Sequence, residues 1–392
     1  MNRKQFLILL GVLVALVAGG GALFMAEKGA WKQVSNQAGQ QLVPGLTASA
    51  VAEIRIVEAE RSLTMKKGEG GWGLAERGGF PANVERIGEL LLKLVEAKVV
   101  QTESVAESQR GRLMLAEPKA GAKDAGTLLE LKDAAGKPLA RLMLGKPVPR
   151  TSQVDGAKSG GASGRYVLVG DEKTSVAVIA DPLSSAEAKA EAWIAKELVK
   201  VERVKALVST GPDGRQRFSL LRDGSDLMSN WKFVGASEKP DGGKVQDMVS
   251  SIYTLSLLDV LTDGAKSDGT KAETGLDKPV TFRAETWDGL VYTFKIGAPT
   301  KTSGGEAAYF LQVSVGGELI RTRIPPKDEK AEDKPKNDKD WEERMKKMDE
   351  QIAREKKLAS SVFLVGKGTV EPLLREKAAL LPEKKKDDGK KG

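Results

Sequence analysis

The chain contains no cysteine and no histidine. The first absence removes disulfides, thiolate metal ligands, cysteine nucleophiles and the lipid-bearing cysteine of a lipoprotein signal, while saying little about redox compartment. The second removes the commonest general base, the imidazole ligand of zinc and the Ser/His/Asp triad. Any catalysis would have to run on carboxylates, lysine or tyrosine. Aromatic residues make up only 5% of the chain, and no aromatic-rich, acid-rich segment suggests the cleft of a glycoside hydrolase. There is no large excess of one charge either. The 62 Lys+Arg and 54 Asp+Glu leave +8, spread along the sequence, which favours weak attraction to anionic surfaces over dedicated nucleic-acid binding.

Length is what the chain does have. At 392 residues, 40% of them apolar, two domains with separate cores are expected. Ahead of them, after Arg3 and Lys4, the stretch from Phe6 to Ala26 runs 21 residues without a charge. As a helix rising about 1.5 Å per residue it would span a hydrocarbon core of roughly 30 Å. Residues 1–28 are therefore expected to be a cytoplasmic stub and single-pass inner-membrane anchor, with the N-terminus inside and the remainder periplasmic or otherwise extracytoplasmic. The competing reading is a cleaved signal peptide, since Val17 to Ala22 offers small residues for a peptidase.

The most informative pattern is an internal repeat. Val84, Ile87, Leu91 and Leu94 lie on one helical face after Pro81, and Val245, Met248, Ile252 and Leu255 repeat their spacing 161 residues later. The same register carries Val99 onto Val260, Leu115 onto Leu276 and Pro118 onto Pro279. Trp72 matches Trp231 after a two-residue slip, each following a strand-like run (Ser62 to Lys67; Arg217 to Arg222). Leu142-Met-Leu-Gly-Lys-Pro147 resembles Phe294-Lys-Ile-Gly-Ala-Pro299, and Tyr166 to Val169 resembles Tyr309 to Val313. Six features in one order argue for duplication.

Each copy reads as strand, turn, strand ending at Trp, helix, then two further hairpins. Leu128 to Lys132 and Leu139 to Leu144 flank Ala-Ala-Gly-Lys; Phe282 to Thr286 and Leu290 to Ile296 flank Trp287-Asp288-Gly289. Consecutive hairpins make the sheets antiparallel and the class α+β. The first repeat is expected over 45–199, closing with a helix over Pro182 to Val199. The second is expected over 200–325 plus 358–382, closing with a helix over Val370 to Leu381. Between them in the second copy lies a charged, partly helical insertion at 326–357, helical from Asp340 with Trp341, Met345, Met348 and Ile352 along one stripe. That stripe can seat on its own domain or dock a partner helix. Residues 383–392 read as a disordered Lys-rich tail, and Ser152 to Ser163 as a flexible loop.

No catalytic, cofactor-binding or metal residues are assigned, and no cofactor is implied. Gly68-Glu-Gly-Gly-Trp-Gly73 lies in a hairpin and not between a strand and a helix, so it reads as a turn rather than a phosphate cradle. Asp263 and Asp268 lack the acid spacing and closing Glu of a calcium loop. The Asp-Gly pairs at 155, 213, 223, 241 and 288 read as turns between strands.

The residues Met1 to Leu10, the Gly-Trp72 hairpin, Arg77-Gly-Gly-Phe-Pro81 before a helix and Glu273-Thr-Gly-Leu-Asp-Lys-Pro279 before a hairpin together resemble the bacterial domain-of-unknown-function family DUF4340, from the anchor to about residue 325. The resemblance implies no catalytic signature. It implies an envelope role beside GldG-like auxiliary components of gliding-type ABC transporters, and the insertion at 327–357 departs from the family pattern. The expected function is accordingly a non-enzymatic, membrane-anchored envelope accessory or scaffold with protein partners and no nucleic acid. The alternatives are a binding module for an anionic envelope polymer or lipid headgroup, and a carboxylate-based hydrolase.

Overall fold

Runs of alternating apolar residues bounded by turn residues fold here as two antiparallel sheets, in a computed structural model that describes residues 38–149, 162–172, 175–224, 230–261, 273–325 and 329–383. The chain divides into two compact units, 1–75 with 81–193, and 76–80 with 194–392. The class is α+β, with few helices. The boundary falls at Trp193/Ile194, six residues before the expected one. The run from Phe6 to Ala26 lies outside the described residues, as do most of the 152–163 loop, Asp263, Asp268 and 384–392. Among the described residues no helix is long and apolar enough to cross a membrane.

The first unit contains β1 (Glu53–Val57), β2 (Ser62–Gly68), β3 (Gly71–Leu74), β4 (Phe80–Pro81, of which Phe80 is counted with the second unit), helix α1 (Val84–Glu96), β5 (Val99–Ser104), β6 (Thr127–Lys132), β7 (Pro138–Pro149), β8 (Ala162–Val169), β9 (Ser175–Ile179) and the single turn α2 (Ala190–Trp193). Its strands lie in the order β4-β3-β2-β1-β6-β7-β8-β9-β5. The second unit contains β10 (Glu197–Lys200), β11 (Val204–Thr210), β12 (Gln216–Arg222), β13 (Trp231–Phe233), α3 (Gly242–Tyr253), β14 (Thr254–Leu261), β15 (Val280–Thr286), β16 (Leu290–Lys301), β17 (Ala307–Gly317), α4 (Lys334–Lys356), β18 (Val362–Gly366) and α5 (Lys367–Val370). Its order is β10-β14-β18-β17-β16-β15-β11-β12-β13.

Read from opposite ends, these orders share eight positions: β3-β2-β1-β6-β7-β8-β9-β5 corresponds to β13-β12-β11-β15-β16-β17-β18-β14. The correspondence extends to irregularities. β7 slips register against β8 between Leu144 and Pro147, and β16 slips against β17 between Ile296 and Pro299. β5 skips a residue between Val99 and Gln101, and β14 skips one between Leu257 and Asp259. The ladders therefore match Val99 to Leu257, not to Val260. The ungapped register of the helices ends with them, because strand β14 begins at Thr254, and Leu255 lies in that strand and not on the helix.

Even the incoming chain is repeated. Gln41 bridges Lys98 and Val99 N–H donates to Gln40 O in the first unit; Glu197 pairs with Ser256 and Leu257 N–H donates to Lys196 O in the second. β10, read from sequence as the end of the first repeat, is thus the second unit's counterpart of residues 40–42.

Each sheet buries its larger core on one face and a smaller cluster on the other, Leu128, Met143, Leu168 and Val176 in the first unit and Ala308, Phe310 and Leu364 in the second. Ile54, Ile56, Met65, Leu129, Leu131, Leu142 and Leu144 are fully buried in the first unit, and Leu207, Leu220, Phe282, Phe294, Ile296 and Phe363 in the second. Burying each such side chain contributes about 1.5–3 kcal/mol. Helix α1 adds Ile87, Leu90, Leu91 and Leu94, but Val84, expected on the seam, is 59% exposed. Its start is set by Asn83, whose side chain accepts from Arg86 N–H at 3.0 Å, and not by Pro81, which lies in β4. Asp241, expected in a strand turn, does the same for α3, accepting from Gly243 and Lys244 N–H.

Neither closing helix forms over its expected length; the first shrinks to the single turn α2 and the second to short turns. Ala186 and Ala188 are buried at alternate positions ahead of α2, which is an extended period, and Leu183 sits at φ 45°. Trp193 is buried with its Nε1 donating to Glu187 O at 2.8 Å. In the second unit Pro372 and an extended Arg375 (ψ 147°) split the segment into short 3₁₀ turns at Glu371–Leu374 and Lys377–Leu380. The insertion does form a helix, but one that begins at Lys334, a turn and a half earlier than its apolar stripe indicates.

Candidate functional site: the cavity beneath helix α4

Helix α4 is overwhelmingly charged, and only Met345 and Glu355 along it are buried. It lies on the second unit through polar contacts. Arg321 pairs bidentately with Asp349 at 2.8 and 3.0 Å, and Gln351 Nε2 donates to Lys200 O at 3.1 Å. Arg323 bridges Glu329 and Asp338. The Glu329 carboxyl, held by Arg323 and Asn337, drops to about 2. The apolar stripe read from sequence faces this seat unevenly, with Met345 buried and Trp341, Met348 and Ile352 half-buried.

Two buried polar groups define the site. Tyr292, 1% exposed, donates its hydroxyl to Glu355 Oε2 at 2.9 Å, and Glu355 Oε1 accepts from Gln351 at 2.8 Å and from Lys200 N–H at 3.3 Å. Burial pushes the Glu355 carboxyl above the ordinary carboxylate range against the pull of those donors. Burial, and then the neighbouring Glu355, push the Tyr292 phenol far above its own range.

The second group is Asp288, in the β15–β16 turn. The sequence marks it as one more Asp-Gly turn, and Gly289 indeed adopts φ 87°. Yet Asp288 is 5% exposed and accepts from Arg203 Nη1 at 2.5 Å and from Arg344 Nη2 at 3.0 Å. An Asp at a hairpin tip carries no signal of burial; α4 lies far off in sequence and supplies it.

Between helix and sheet remains a cavity of about 170 Å³. Leu290, Met348 and Ile352 give it apolar walls, while Asp288, Arg344 and Lys347 lie on its polar side. Among the described residues no group of three or more Asp or Glu side chains is placed to hold a metal ion.

The motifs singled out from sequence have structural positions. Gly71, at φ 102°, closes the β2–β3 hairpin. Arg77 donates Nε and Nη2 to Asp259 at 2.8 and 2.9 Å, and Phe80 lies edge-on to Phe363 at 5.9 Å, all within the second unit. The two Leu-x-x-Pro segments each follow a left-handed residue, Met114 (φ 53°) and Gly275 (φ 64°). Each lies against the glycine of a strand irregularity: a Cβ on Gly145 would meet Leu113 O at 2.5 Å, and one on Gly297 would meet Thr274 O closer still.

A family model described as Domain of unknown function (DUF4340) matches residues 72–279, from the hairpin tryptophan of the first unit to the Leu-x-x-Pro proline of the second. No curated protein and no solved structure matches the chain.

Proposed function

We propose that this chain, which belongs to the DUF4340 family, is a non-enzymatic, membrane-anchored accessory or scaffold protein of the cell envelope, working beside an ABC-type transport system. One observation carries this reading. What the two copies share is architecture: the tryptophan hairpins, the left-handed residue before Leu-x-x-Pro, the matched bulges and the eight-strand order. The matched positions are core and turn residues. The polar groups that do converge, Asp288, Tyr292 and Glu355, belong to one copy only, and Asp288 is already engaged by two arginines. A duplicated scaffold of this kind offers two related surfaces to partners on one tether, and linking them raises the effective concentration of the second contact. The tether is the uncharged run Phe6 to Ala26.

Crosslinking in intact cells, followed by identification of the neighbours of the full-length protein, tests the reading. Inner-membrane transport components are expected among them, and the protein is expected to sediment with membranes and to resist extraction by salt and carbonate. A protein recovered free in the cytosol, or recovered from solubilised membranes without any stable partner, sinks it. A positive balance of +8 favours a second reading, weak binding of an anionic envelope polymer or headgroup; retention that does not change between low and high salt rules that out.

A further inference from the structure

We propose that the cavity beneath α4 is a binding site for a small organic monoanion, an apolar body about the size of an aromatic ring carrying a single carboxylate. Its size fits such a body: an apolar cavity of about 150 Å³ accepts benzene, and this one holds about 170 Å³. Its walls fit too. Leu290 from β16 and Met348 and Ile352 from α4 present aliphatic carbon for the ring, and the rest of the lining, Thr286 and Gln351 among it, is polar and suits the carboxylate end.

The charge follows from pairing. Five ionisable side chains besides Tyr292 line the space: Lys200, Glu202, Asp288, Arg344 and Lys347. Lys200 Nζ is matched by Glu202 at 2.8 Å. Asp288 is matched by Arg344 and, from behind, by Arg203. Lys347 alone has no carboxylate within ion-pair distance among the described residues, so the lining carries one uncompensated positive charge. Arg344 spends only Nη2 on Asp288, leaving further N–H donors for a planar carboxylate. A cation would meet Lys347 and the surplus charge of the two arginines that share Asp288.

Among the described residues nothing in the first unit corresponds to this site, since α4 has no counterpart there and Ala140 holds the ladder position of Tyr292. The proposal is independent of the anchoring and scaffold reading and stands or falls by binding alone.

The test is calorimetric or NMR titration of the full chain with benzoate, and with benzamide as the neutral isostere. Benzoate is expected to bind with Kd of about 1 mM or tighter, as suits a ligand of so few atoms, and benzamide at least about threefold more weakly. Raising salt from about 50 to about 500 mM is expected to weaken benzoate only. Lys347→Ala, at an exposed helix position, is expected to weaken benzoate about threefold or more while leaving benzamide unchanged. Met348→Trp is expected to fill the cavity and abolish binding of both, with Ile352→Phe as the milder second variant should the first fail to fold. Absence of benzoate binding, equal binding of benzoate and benzamide, or a Lys347→Ala protein that binds benzoate as the parent does, overturns the proposal.

Discussion

The second unit is the first unit with something added on top of it. Both fold the same eight strands in one order, and both place a glycine where the Leu-x-x-Pro segment crosses the bulged strand. They part at one patch of the core face. Where the first unit has Ala140 opposite Leu131, the second has Tyr292 opposite Ala284. Where the first has Ile56 opposite Leu129, the second has Ser209 opposite Phe282, with the Ser209 hydroxyl buried and unpartnered. A tyrosine whose hydroxyl is turned into the protein needs a partner. Helix α4 supplies it as Glu355, together with Arg344, one of the two arginines that engage Asp288. The lesson is that a duplicated fold acquires a polar site through an insertion, which brings its own charged groups to a face the other copy leaves simple.

The sharpest way to break this comparison is Tyr292→Ala, which gives the second unit the residue of the first. It removes a ring that is 1% exposed and strips Glu355 of its donor, so a loss of about 3–5 kcal/mol is expected. In chemical denaturation followed by tryptophan fluorescence, only the transition of the second unit should move. An unchanged midpoint would show that α4 is not coupled to the sheet.

Matched glycines sharpen the comparison next. Gly145→Ala and Gly297→Ala each drive a Cβ into the overlying carbonyl of Leu113 or Thr274, and a cost of about 1–3 kcal/mol apiece is expected from this overpacking. The larger loss is expected at Gly297, where the approach is closer. A tolerated substitution at either would mean that the bulges are not equivalent.

The left-handed positions before Leu-x-x-Pro predict opposite signs. Gly275→Ala should destabilise by about 1 kcal/mol or somewhat more, because φ is positive and the new Cβ meets Ala298. Met114→Gly should stabilise the first unit by about 1 kcal/mol, since Met114 is 40% exposed and little packing is lost. Thermal unfolding of the two single variants checks both.

The smallest effect is a pH slope. Glu355 has a folded pKa raised above its unfolded value, so the folded protein holds this proton more tightly. The stability it contributes is present below the ordinary carboxylate range and declines as pH rises from there through the raised value. Glu355→Gln should flatten that slope for the second unit and leave the first untouched. A slope that survives the substitution assigns it to another group.

Much of the fold is legible in the residues. The spacing of Ile87, Leu91 and Leu94 marks α1, the hairpin turns at 134–137 and 287–289 lie between the strands the alternation indicates, and Gly-x-Pro at 145–147 and 297–299 marks matching bulges. The misreadings share a cause. Alanine-rich 186–189 has every local reason to be helical, but its alternate residues fit an extended path against the first unit's core, and packing outweighs a propensity of a few tenths of a kcal/mol per residue. Val84 continues the apolar spacing of α1, yet among the described residues it stays mostly exposed.

By itself the sequence determined the α+β class, the antiparallel hairpins and the duplication, because side-chain periodicity and turn chemistry are local properties that repeat wherever the residues repeat. Only the tertiary structure decided that Asp288, an ordinary turn residue on paper, is buried between two arginines. It alone placed Tyr292 against Glu355, 63 residues away. The reason is physical: burial and pairing are properties of what a distant segment covers, and no local pattern around residue 288 or 292 encodes where α4 comes to rest.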